Sequence, residues 1–138
     1  MESSLRELAM YRMERAFEML IAAEDNLKIG QNRSYYAIFH AMRAANIIKG
    51  FDSSKHSGVI AFFNKEYLKE NIIDRKMSPI IKNSSFFREK SDYDDFFIAS
   101  KKDAENQLKN AKIFLSVVED YLKTENHNLL ANPQISRH

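Results

Sequence analysis

From about Ser4 to Ile29 apolar residues recur at steps of three and four, and Leu5, Leu8, Met13, Phe17, Leu20, Ala23 and Leu27 fall on one face of a helix. Gly30 is a suitable stop, because glycine takes the left-handed cap without steric cost. A second helix is predicted from about Asn32, with Tyr36, Phe39, Ala44 and Ile47 on its apolar face and Gly50 ending it. The pair reads as an antiparallel helical hairpin.

Gly50 to His56 reads as a loop, after which Ser57 is placed to cap a third helix carrying Val59, Phe62, Phe63 and Tyr67 and ending near Lys69 or Glu70. Ser78 followed by Pro79 marks a fourth start, with the proline at the first helical position and Ile80, Ile81 and Phe87 inward. The segment Ser100 to Asp103 has the spacing of a capping box and opens a fifth helix with Ala104, Leu108, Ala111, Leu115, Val118 and Leu122 inside. Beyond Thr124 the periodicity weakens among several Asn and one Pro. The predicted architecture is therefore all-α: an up-and-down bundle of about five helices over residues 1–123, with a flexible tail over 124–138.

Composition narrows the chemistry. Three Gly and two Pro in 138 residues leave few breakers, which favours long helices. The absence of Cys removes disulfides, thiolate catalysis and thiolate-bound zinc, and fits a reducing, cytoplasmic location. The opening MESSLRELAM lacks the apolar stretch of a signal peptide, and no run approaches the ~18 apolar residues of a membrane span, so no membrane partner is expected. A net charge of +2 is too small to hold nucleic acid by bulk charge, so any such contact must be local.

Three stretches could carry chemistry. In the first, Arg33 and His40 are seven residues apart, hence nearly aligned on one helical face about 10.5 Å apart along its axis. Either they form an anion-binding Arg beside a titratable His, or the aromatics are core and the His is a hydrogen-bonded interior or interface group. In the second, Lys55, His56, Ser57 and Gly58 stand at a helix start that could receive a phosphate, or simply cap and solvate that start. The third, Phe86 to Phe97, brackets Arg88, Lys90, Asp92, Tyr93, Asp94 and Asp95 with two aromatic pairs, and Arg88 can pair with Asp92 at a four-residue step. No zinc-protease helix, nucleophile elbow or phosphate loop is present, and no metal or cofactor is expected.

In this order, Asn32-Arg-Ser-Tyr-Tyr-Ala-Ile-Phe-His40, Lys55-His-Ser-Gly58 and Arg88-Glu-Lys-Ser-Asp-Tyr93 resemble the small stand-alone prokaryotic HEPN proteins, over about Met13 to Tyr121. The resemblance implies a helical bundle, a homodimer, and a place beside a small nucleotidyltransferase in a toxin–antitoxin pair. Many HEPN proteins are metal-independent ribonucleases whose motif is an Arg followed, after four to six residues, by a His. Arg33 and His40 meet that spacing early in the chain, whereas Arg88 stands late, where the family motif is expected, with Tyr93 in place of His. A phenol ordinarily titrates near pH ~10 and is a poor general base at neutral pH. The leading expectation is thus a module that binds a nucleotide, RNA or a protein partner through Arg88, Asp92, Tyr93, Lys55 and His56. The alternatives are a ribonuclease using Arg33, His40 or Arg88, and a non-catalytic helical adaptor.

Overall fold

The computed structural model describes residues 2–25, 27–93 and 101–131, with side chains at 4–25, 33–90 and 101–125. Among the described residues there are five α-helices and no strand: α1 (Glu2–Asp25), α2 (Leu27–Ile48), α3 (His56–Phe63), α4 (Met77–Tyr93) and α5 (Lys101–Ala131). α3 continues without a break into a single π-helical turn, Asn64–Leu68. The expected all-α bundle is the fold observed. No described helix is long and apolar enough to cross a membrane.

α2 is the central element and packs against each of the other four helices. Between Ser34 and Ile47 every residue is buried except Tyr36, His40 and Arg43. A helix surrounded on nearly all sides must be apolar nearly all round, and the run of Ala37, Ile38, Phe39, Ala41, Met42, Ala44, Ala45 and Ile47 meets that demand. The exceptions, together with half-buried Arg33, step by three, four and three, so the polar groups of α2 lie along one line.

α1 lies along α2 as the predicted hairpin partner. Its buried stripe is Ala9, Met13, Ala16, Leu20 and Ala23, with an alanine every seventh residue, which lets the two backbones approach closely. Under α3, the ring of Phe63 packs against Tyr67 at 5.3 Å and against Phe114 of α5 at 5.6 Å between centroids. The Tyr67 hydroxyl donates to the carbonyl of Ala45, and burial pushes its ionisation far above the ordinary range of a phenol. Ser84 of α4 donates to Gln107 Oε1 of α5 at 3.2 Å, with both residues buried.

Several predicted boundaries are corrected. Gly30 does not stop a helix: α1 ends at Asp25, and Gly30 lies in the first turn of α2. The cost of a helical glycine, about 1 kcal/mol, is small beside the packing of a helix in contact with four others. Gly50 does end α2, with φ of +80° and its N–H donating to Ile47 O at 2.8 Å. Ser57 is not a cap either; α3 begins at His56, its N-cap is Lys55, and no side chain caps it. The neighbouring Ser53 accepts instead from the Lys55 N–H at 3.1 Å and tightens the loop. α4 starts one residue before Ser78 and places Pro79 third, still within the turn where its missing N–H is harmless. Ser100 of the capping box lies outside the described residues, and α5 is described from Lys101. α5 runs on to Ala131, into the segment read as tail, and residues 132–138 lie outside the described ones.

Candidate functional site

The three stretches singled out in the sequence, far apart along the chain, meet at Tyr35. The phenol of Tyr35, on α2, shares a 2.6 Å hydrogen bond with Nδ1 of His56, the first residue of α3. When the phenol donates, the neutral imidazole carries its proton on Nε2. The imidazole lies parallel to Phe39 at 4.2 Å between centroids and to Tyr35 at 5.5 Å, while Tyr36 meets it edge-on at 6.0 Å. α4 brings the Arg88 guanidinium over the Tyr35 ring, 5.4 Å from its centroid.

Each partner has a local reason for its place. Tyr35 is buried on the crowded part of α2, where a phenol needs a polar partner for its hydroxyl, and His56 supplies one. His56 is held at the head of α3 by Asn46, whose Nδ2 donates to Val59 O at 3.1 Å and ties α3 to α2. Arg88 lies half-buried, and the π-face of Tyr35 compensates part of its lost hydration. A guanidinium, a phenol and an imidazole thus converge within one cluster, a set that can hold an anion and move a proton near neutral pH.

The other predicted residues are placed as follows. Lys55 is exposed beside His56 at the α3 N-cap. Asp92 and Tyr93 close α4, and their side chains lie outside the described ones, as does the whole of Asp94 and Asp95. Arg33 and His40 share the polar line of α2 but stand two turns apart, and the positive charges around His40 are instead Arg43, Arg15 and Arg12. Burial first, and then those three guanidiniums, hold the His40 imidazole below its ordinary pKa. Among the described residues no three His, Asp or Glu side chains gather as metal ligands would.

A second charged cluster adjoins the site and was not singled out in the sequence. Asp52, in the loop leading to His56, accepts two hydrogen bonds from Arg12 of α1 and one from Arg43 of α2, each of 2.9 Å. The Arg12 hydrogen bond is the largest of the influences that hold its carboxyl at about 2. The ion pairs join residues 40 and 9 positions apart, so periodicity could not reveal them. Tyr35 falls inside the first stretch, but the apolar spacing points to its neighbour Tyr36 instead. The missed signal was a phenol at a position where helical periodicity demands burial.

The sequence profile of the HEPN domain matches residues 4–121. A Methanocaldococcus jannaschii protein named "Putative toxin MJ0142" is 32% identical over 128 residues, covering 83% of this chain and 87% of its own. A second protein of that organism, named "Putative toxin MJ0605", is 33% identical over 91 residues, covering 66% of this chain and 67% of its own. A Thermotoga maritima protein named only as UPF0332 is 28% identical over 104 residues, covering 75% and 79%.

Proposed function

The chain belongs to the HEPN domain family, and from that premise we propose that it is a toxin-type HEPN module that binds a nucleotide or an RNA phosphate through Arg88 and the Tyr35–His56 pair. One observation carries this reading: a single phenol joins the imidazole of α3 to the guanidinium of α4. The names of two relatives, each beginning "Putative toxin", support the type. We further propose that it forms a homodimer and pairs with a small nucleotidyltransferase, as the family resemblance implies.

Arg88 supplies the charge for a phosphate oxygen. Direct titration of ATP and of a short oligoribonucleotide into the purified protein tests the reading. Arg88→Ala should weaken binding at least about tenfold, the range expected when a charged hydrogen bond is lost. Equal binding by wild type and variant, or none by either, sinks it.

A second reading has its own observation. His56 stands in the same cluster as Arg88, so a titratable base is present there although Tyr93 replaces the family's His. As a metal-independent ribonuclease the protein would use the other tautomer of His56, with Nδ1–H donating to the Tyr35 oxygen, so that Nε2 takes the proton of a ribose 2′-hydroxyl. The 2′-oxygen then attacks the phosphorus of the phosphate held by Arg88 and expels the 5′-oxygen, which takes a proton from solvent. Cleavage of an RNA pool in EDTA, abolished by His56→Ala and by Arg88→Ala, would select this reading.

A further inference from the structure

Phe86 is 53% exposed on α4, a degree of exposure that forgoes about half of the stabilisation a phenyl gains by burial. The ring is not bare. Phe87 meets it edge-on at 5.5 Å, and the Lys90 ammonium lies 5.8 Å from its centroid. Phe86 also lines an open groove of about 270 Å³ between α3 and α4, whose walls include Ile60, Lys82 and Ser85. Lys82, Phe86 and Lys90 follow one another at four-residue steps and so form a nearly straight line about 12 Å long. The Ser85 hydroxyl oxygen is buried in the groove wall with no hydrogen-bond partner among the described residues.

We propose that this groove is a subsite for single-stranded nucleic acid, in which one base stacks on Phe86 and the flanking phosphates meet Lys82 and Lys90. An exposed aromatic between cations is what such ligands require, since every base offers a π-face and every linkage a negative charge. A protein partner fits less well, because lysine is depleted from the cores of protein interfaces and here brackets the exposed Phe86 ring. The groove is smaller than the ~300–1,000 Å³ that encloses a whole small molecule, which suits a flat ring laid over Phe86. Glu89 also lines it, leaving one net positive charge along the line, so stacking and not charge must supply most of the affinity. The subsite rests on the reading of the chain as a nucleotide- or RNA-binding module, but it occupies another face of α4. Phe86 and Arg88 are separated by about 200° around the helix.

The test is fluorescence anisotropy with a labelled oligouridylate of about twelve nucleotides, titrated with the full chain at several salt concentrations. Phe86→Ala should raise the dissociation constant about tenfold or more with an unchanged salt slope, while Phe86→Trp should keep or improve affinity. Lys82→Ala and Lys90→Ala should each flatten the plot of log affinity against log salt by about 0.7. Wild-type affinity in Phe86→Ala, or no binding by wild type, overturns the subsite. So does sedimentation showing that Phe86→Ala dissociates a dimer, since the groove would then be an interface between copies. If Arg88→Ala abolishes binding and Phe86→Ala does not, the subsite fails while the Arg88 site stands; the reverse result keeps the subsite and removes Arg88.

Discussion

Tyr35 illustrates how one side chain can hold both packing and chemistry. Its ring is buried among the aromatics of α2, its hydroxyl meets His56, and its π-face carries Arg88. Tyr35→Phe keeps the ring and removes only the oxygen, leaving Nδ1 of His56 without that 2.6 Å contact. The stability lost should be about 1 kcal/mol, the usual net value of one hydrogen bond. The larger effect should fall on ligand binding, because the imidazole tautomer is no longer set by the phenol. Thermal melting beside nucleotide titration checks this: a variant that melts as wild type and binds as wild type would show that the hydroxyl has no part in the site. A small change in melting with a several-fold loss of affinity is the expected outcome.

At the scale of the element, the loop between α2 and α3 is pinned by charge. Asp52 is tied to both helices of the hairpin, four residues before His56, so the clamp sets where the head of α3 begins. Its carboxyl titrates at about 2 in the folded chain against an ordinary 3.8, so its contribution is complete above about pH 4 and fades as the pH falls towards 2. With its side chain 41% exposed, solvent screening limits the gain to about 1 kcal/mol or less. Urea midpoints of wild type and Asp52→Asn should therefore differ by a constant amount above about pH 5 and converge between pH 4 and 2. A gap that does not change with pH would deny the clamp any electrostatic role. The sequence made the helices legible because their apolar spacing is a local property, and Gly50 was read correctly because its left-handed turn is local too. It hid the clamp and the Tyr35–His56–Arg88 cluster because these join residues brought together only by folding. Gly30 misled for the same reason: its local preference yielded to the packing of α2.

For the whole molecule, stability and function share one helix. α2 carries Tyr35 and Phe39 for the site, yet it also supplies the middle of the core, with Ala41, Ala44 and Ala45 fully buried. Alanines there set the distance at which neighbouring helices sit, so a larger side chain must push a whole helix or adopt a strained rotamer. Ala41→Leu should cost about 1–3 kcal/mol, lowering the melting midpoint by several degrees. Ile21 is also apolar but 61% exposed, and Ile21→Ala should change stability by no more than about 0.5 kcal/mol. Because the rings around His56 are anchored on α2, the displacement that destabilises Ala41→Leu should also disturb the site. Melting and nucleotide titration of both variants separate the possibilities. If Ala41→Leu melts lower and binds more weakly while Ile21→Ala does neither, the central helix couples fold to site; if Ala41→Leu melts like wild type, the core around α2 is looser than its burial implies, and the rings that hold His56 owe their positions to something other than close packing.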